Sequence, residues 1–303
     1  MNKWIKLGLI FTPPKGLSWV NSHAWVPTPF QINGSIYRIY FSGRDSSNST
    51  QSGYFDIDLK SKSIFNLSDS PILTRGDLGQ FDDSLAVTCS VVRNNEDLYM
   101  YYVGWQQTAR TRYLPHIGLA ISTDNGVSFE KVGNCPLIPR QKCEQYGMAS
   151  PFVLKEGDEW KMWYGSYRSW SMRGDQSWPR YEVRHATSRD GLNWNVLNKT
   201  CLGGEHEEAV ARPWVVKNIN GYQMWYAYRK NFEEYRIGYA ESRDGQDWIR
   251  KDELVGIDVS DDGFDSEMIE YPSVIKYGDF EYMFYNGNAF GFDGIGLAVR
   301  EAL

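Results

Sequence analysis

The chain has 303 residues, 42% hydrophobic and 23% charged, with a formal net charge of −6. That length buries a substantial core, and those fractions are ordinary for a globular protein. An acidic balance without any Lys/Arg run argues against nucleic acid or an anionic membrane as a partner held by bulk electrostatics, and leaves a polar small molecule open.

Aromatic residues are enriched at 15%, with 12 Trp and 20 Tyr. At the N-terminus, "MNKWIKLGLIFTPPKG" holds an apolar run of about five residues, too short for a signal-peptide core. No stretch approaches the roughly 20 apolar residues of a membrane span, so a cytoplasmic protein is expected. Cys89, Cys135, Cys143 and Cys201 show no CxxC spacing. They read as reduced structural thiols, with a Cys135–Cys143 disulfide as the alternative.

In chain order, a strand over residues 3–11 comes first, and a unit of about 60 residues then recurs five times. Each unit opens with a short apolar strand, continues through a polar turn, and follows with a strand rich in Tyr, Trp and Met. These stretches are residues 28–44, 88–105, 150–168, 212–229 and 271–288. Their anchor positions, Pro29, Cys89, Pro151, Pro213 and Pro272, lie 60, 62, 62 and 59 residues apart. A third strand with small residues follows ("IGLAIS", "VRHATS", "IGYAES", "GIGLAV"), and three units then carry a Ser-x-Asp turn with glycine before an aromatic-led fourth strand. In that turn the carboxylate accepts backbone N–H groups and Gly takes the positive φ. Each aromatic is expected to plug its unit into a neighbour.

Four antiparallel strands repeated radially describe a β-propeller. The prediction is an all-β, five-bladed propeller forming one domain over residues 1–303. The last unit runs out of chain before a fourth strand, so "KWIKLGLIF" is predicted to complete that blade and leave no open edge.

A propeller gathers its first strands around one axis, so function is sought just before the anchors. Acids recur there: Asp82, Asp83, Glu144, Glu207, Glu208, Asp265, Glu267 and Glu270, with His23 in the first unit. Arg44, Arg168, Arg229, Asn286 and Asn288 end the second strands, and Arg212 and Tyr271 sit on first strands. Trp105, Trp170 and Trp178 fall in segments read as irregular, where they suit stacking on a sugar face. His206 beside Glu207 and Glu208 matches no closed zinc pattern, and no metal or cofactor is expected.

The pattern P-x-V … Y-x-M-W-Y … I-G-x-A-x-S-x-D-G-x-x-W resembles the five-bladed propellers of the glycoside hydrolase superfamily, including families 43, 32, 68 and 130. More closely it resembles glycosidase-like proteins found with bacterial surface-polysaccharide genes. The resemblance covers the whole chain and implies a saccharide ligand. Families 43 and 32 imply acids at positions that here are Thr28, Ser150 and Ala211, none of them acidic. That departure argues against their standard chemistry.

Glycoside cleavage needs a protonated carboxyl and an ionised one, about 5–5.5 Å apart for retention or about 6.5–9.5 Å for inversion. Glu270 is the expected proton donor, and Asp83 or Glu208 the expected base. Arg212 and Arg229 are expected to hold an anionic group on the sugar. A propeller that binds a saccharide or a partner without catalysis is the alternative. A lyase-type reaction using His23 or a channel tyrosine as base comes third.

Overall fold

The computed structural model describes residues 3–203, 209–230 and 233–302. It is all-β, because tyrosine-, tryptophan- and β-branched-rich stretches are separated by Gly, Asn and Asp turns. β1 (Ile5–Phe11) comes first. The first repeat forms β2 (Ser22–Asn33), β3 (Ile36–Arg44), β4 (Thr50–Asp58) and β5 (Ser63–Phe65). The second forms β6 (Leu85–Asn94), β7 (Asp97–Gln107), β8 (Tyr113–Ser122) and β9 (Glu130–Lys131). The third forms β10 (Met148–Glu156), β11 (Glu159–Arg173), β12 (Gln176–Ser188) and β13 (Trp194–Leu202). The fourth forms β14 (Ala209–Asn218), β15 (Gly221–Arg229), β16 (Arg236–Ser242) and β17 (Trp248–Arg250). The last supplies β18 (Glu270–Tyr277), β19 (Phe280–Asn286) and β20 (Ile295–Glu301).

Each repeat is an antiparallel meander, and one parallel pair, Thr50 with Leu85, links the first two into a single larger sheet. The last repeat has three strands of its own. β1 joins β20 antiparallel, from Ile5 opposite Val299 to Phe11 opposite Ile295, and completes a four-stranded sheet as the sequence predicts. The innermost strands β2, β6, β10, β14 and β18 each lie against the next, and β18 returns to β2. The result is a propeller-like arrangement of sheets.

The recurring Ser-x-Asp turn is a device for joining repeats. Asp124, Asp190 and Asp244 each accept two backbone N–H groups of their own turn at 2.8–3.0 Å. Bonds from the Ser128 hydroxyl and the backbone at Asp124, and from the backbone and neighbouring side chains at Asp190 and Asp244, hold all three carboxyls well below the usual range. The turn's glycine carbonyl then accepts a bond from the repeat before it: Tyr40 Oη to Gly126 at 3.1 Å, Tyr101 Oη to Gly191 at 2.9 Å, and Trp163 Nε1 to Gly245 at 2.7 Å. The following aromatic packs edge-on against the same ring, Phe129 on Tyr40, Trp194 on Tyr101 and Trp248 on Trp163. Glycine is required at Gly245 twice over, by a φ of 78° and by a Trp163 ring atom 2.9 Å from where a Cβ would stand.

One local expectation is corrected. Trp105, Trp170 and Trp178 lie on strands, at the ends of β7, β11 and β12. The segment around Trp170 and Trp178 is a hairpin extension of the third sheet, in which Trp170 pairs with Pro179 and Ser171 with Trp178. Its turn at Gly174 takes a φ of 56°.

Candidate functional site

The inner strands break their ladder at the anchors. Pairing skips from Ala149 to Phe152, from Ala211 to Trp214 and from Glu270 to Ser273. Proline cannot donate to a ladder, and the residues before it, Ser150, Arg212 and Tyr271, take φ values of 50°, 53° and 51°. A left-handed non-glycine residue costs roughly 1–2 kcal/mol. Such bulges re-aim a side chain out of the strand's alternation.

Arg212 shows the result. It is fully buried, and its guanidinium donates to Cys89 O at 2.9 Å, Pro27 O at 3.3 Å and Thr28 Oγ1 at 3.2 Å. These acceptors belong to β2 and β6, so the side chain spans the centre between three inner strands. Desolvation lowers its pKa. The expectation that Arg212 grips a ligand is corrected: it ties inner strands together.

At the end where the inner strands begin, side chains from every repeat form one aromatic cluster. It includes Trp25, Trp105, Tyr113, Tyr167, Tyr181, Tyr235 and Tyr271. Trp105 stacks on Tyr113 with centroids 4.0 Å apart, and Trp25 meets Trp105 and Tyr271 edge-on. The indole N–H groups of Trp25 and Trp105 have no hydrogen-bond partner among the described residues. Arg44 lies 5.0 Å over the Trp25 ring. Arg229 donates to Tyr235 Oη at 3.2 Å and Pro179 O at 3.1 Å, and lies 4.9 Å over Trp178.

Glu270 opens β18 beside this cluster. Its side chain is fully buried, and neither carboxyl oxygen has a hydrogen-bond partner of ordinary geometry among the described residues. Burial above all, and then the charge of Glu234, push its pKa well above the usual carboxylate range, against the opposing influence of Tyr271 and Arg44. His23 also lies at this end. Burial and the nearby Arg44 hold it down at about 4, so its imidazole is neutral at physiological pH.

Several residues expected at the site serve the scaffold. Asp82 accepts from Tyr102 Oη at 2.9 Å and pairs with Lys131 at 2.6 Å. The same unit recurs in other repeats, with Glu144 taking Tyr164 Oη at 2.8 Å and Asp265 taking Tyr285 Oη at 2.8 Å and Lys6 at 2.7 Å. Asn286 uses its whole amide, accepting from Val26 N and donating to Ala24 O and Gly294 O. Asn288 fastens the loop before β18 through Glu267 N, Met268 N and Gly263 O. Asp83 accepts from Gly79 N at 2.9 Å and Ser84 Oγ at 2.8 Å within its own loop, and Arg168 pairs with Glu182 at 3.3 Å and donates to Cys143 O at 2.9 Å. Glu207 and Glu208 lie outside the described residues.

Of the sequence candidates, the structure thus brings together Glu270, Tyr271, Arg44, Trp105, Trp170 and Arg229. Trp25, Tyr113, Tyr181 and Glu234 join them without having been singled out. Trp25 and Tyr113 stand where aromatic enrichment meets an inner strand and an inserted segment, a signal already present in the sequence. Among the described residues no group of three His, Cys, Asp or Glu side chains is placed to hold a metal ion. A separate cavity of about 350 Å³ lies at the far ends of the inner strands, lined by Ser90, Val153, Lys155 and Trp214, away from Glu270.

The buried carboxyl has a consequence for stability. Glu270 binds its proton more tightly in the folded chain than in the unfolded one, so its contribution is full below the ordinary value of about 4.3 and is lost as pH rises through the elevated native value. Glu270→Gln cannot ionise. The variant's melting temperature relative to the parent is therefore expected to climb as pH rises above about 4 and to level off once pH has passed the elevated native value, with about 1.4 kcal/mol gained per unit of elevation. Parallel thermal melts measure it, and a pH-independent difference would refute the assignment.

No protein-family model matches the chain. It is 39% identical over 301 residues to a Mycobacterium tuberculosis chain named "Uncharacterized protein Rv1502", covering 98% of this chain and 99% of that one. A solved structure described as a glycoside hydrolase matches with a TM-score of 0.81 at 16% identity, covering 100% of this chain and 93% of the other. A glycoside hydrolase of the GH130 family of mannoside phosphorylases, targeting β-1,2 mannosidic linkages in Candida mannan, matches with a TM-score of 0.72 at 14% identity over 96% of this chain and 91% of its own. The chain belongs to the family of mycobacterial Rv1502 and has the propeller-like fold of the glycoside hydrolases it matches.

Proposed function

We propose that the chain is a carbohydrate-active, glycosidase-like protein. In this reading residues 1–303 form one five-bladed propeller, supported by the cyclic contact of β2, β6, β10, β14 and β18. A saccharide lies against the part-exposed Trp105 and Tyr113, whose outer faces suit sugar C–H surfaces, and the buried, unpartnered indole N–H groups of Trp25 and Trp105 suit hydroxyls that enter when the cluster opens. Glu270, kept protonated by burial, donates to the leaving glycosidic oxygen. The observation that carries the reading is this fully buried, unpartnered carboxyl beside an aromatic cluster drawn from every repeat. Since neither oxygen meets solvent, a ligand reaches Glu270 by displacing a neighbour, and part-exposed Tyr271 is that neighbour.

The test is turnover of a panel of nitrophenyl glycosides and oligosaccharides by the parent and by Glu270→Gln. The variant is expected to lose about 100-fold or more in kcat, the ordinary contribution of a positioned acid, while binding changes little. Trp105→Ala is expected to weaken binding instead. Full activity in Glu270→Gln would end this assignment. The non-catalytic alternative draws on a specific observation, the Thr28, Ser150 and Ala211 side chains where related propellers carry acids. It predicts saccharide binding by the parent without turnover on any member of the panel.

A further inference from the structure

We propose that Glu234, on the connection between β15 and β16, is the second carboxylate of this site and takes the proton of the attacking water. The proposal rests on the glycosidase-like reading and supplies its missing base. Its ground is how the connection is pinned. Ile269 N, one residue before Glu270, donates to Tyr235 O at 3.2 Å. Arg236 then bridges the two segments, donating to Tyr235 O and to Glu267 O, each at 2.9 Å. The Tyr235 hydroxyl bonds the Tyr181 hydroxyl and accepts from Arg229 Nε at 3.2 Å, and its ring meets Phe290 edge-on. The Ile269 and Arg236 bonds lay the Glu234–Tyr235 segment alongside the residues that lead into Glu270, and the Tyr235 side-chain contacts fix that segment against β12, β15 and Phe290.

The two carboxyls then differ in the way a proton-transfer pair requires. Glu270 is buried without a partner, whereas Glu234 is exposed and has no ion pair among the described residues. The Glu234 charge adds to burial in keeping Glu270 protonated; Tyr271, Tyr181 and Arg44 are the other titratable or charged groups facing it. In the reaction, water loses a proton to Glu234 as its oxygen bonds to the anomeric carbon. The glycosidic C–O bond breaks, its electron pair stays on the leaving oxygen, and that oxygen takes the proton of Glu270. One water is consumed, and proton exchange with solvent restores both carboxyls.

The experiment uses the full chain. Carbon-detected NMR follows the Glu270 carboxyl, assigned by its loss in Glu270→Gln, through a pH titration of the parent and of Glu234→Gln. The midpoint is expected to move down in Glu234→Gln, which keeps the fold because the side chain is exposed. On any glycoside the parent cleaves, Glu234→Gln is expected to lose about 100-fold in kcat together with the acidic limb of the pH–rate profile, and added formate is expected to recover part of the rate. An unmoved Glu270 midpoint overturns the pairing even in an active protein, and undiminished kcat in Glu234→Gln overturns the base role. A parent that cleaves no glycoside while the midpoint moves overturns the catalytic reading and leaves the pairing standing.

Discussion

Deleting residues 3–11 is expected to leave a chain that no longer folds cooperatively at room temperature. β1 is short, yet much is anchored on it. Trp4 is buried against Trp225, donating through its indole to Val255 O at 3.0 Å, and Phe11 stacks on Phe55 with centroids 4.1 Å apart. Losing a buried Trp or Phe side chain costs about 3–5 kcal/mol each. Lys6 pairs at 2.7 Å with Asp265, which is almost wholly buried; a buried charge stripped of its partner costs roughly 3–5 kcal/mol. The deletion also uncovers the edge of β20, a template for aggregation. Together these losses rival the roughly 5–15 kcal/mol that holds a domain folded. Circular dichroism melts of the truncated chain, with and without a synthetic peptide of residues 3–11, test the claim. A cooperative transition within a few degrees of the parent would refute it.

Arg212→Ala is the second large effect, expected at about 3–5 kcal/mol. Truncation removes the donor to Cys89 O, Pro27 O and Thr28 Oγ1 at the centre of the molecule; Pro27 O keeps Ser273 Oγ and the Thr28 hydroxyl keeps Val26 O, so the loss falls mainly on Cys89 O, and an unsatisfied buried group costs about 1–3 kcal/mol. A cavity adds to the loss. Relief from burying a cation whose partners among the described residues are all neutral offsets part of it. Alanine is the informative substitution because it bears the same left-handed φ penalty as arginine, so the comparison isolates the side chain. Urea unfolding of both proteins measures the difference. A loss below about 1 kcal/mol would show that water or repacking replaces the guanidinium.

The two predictions draw on different levels of information. The role of β1 is legible from the repeat, since a unit short of one strand and a spare strand at the other end of the chain have one economical solution. The role of Arg212 is not. Its partners lie 123 and 185 positions away in sequence, and an arginine before a strand reads equally well as a ligand-binding group. The same holds for the acids. Asp82, Glu144 and Asp265 stand where an axial carboxylate would, but each is used by a tyrosine hydroxyl of its own sheet about 20 residues on. A signal for this was present: Tyr102, Tyr164, Tyr226 and Tyr285 recur at the repeat interval, and a buried phenol needs an acceptor.

By itself the sequence determined the strand pattern, the turn chemistry, the repeat length and the strand that closes the last sheet. These are local or periodic properties, set by residue type and spacing along one chain. Only the tertiary structure decided which polar groups remain unspent once the sheets have packed, because hydrogen-bond capacity is consumed by neighbours that the sequence does not make adjacent. That accounting leaves Glu270 buried and unpartnered among aromatics from every repeat, and it brings Glu234 to it from a connection with no motif of its own.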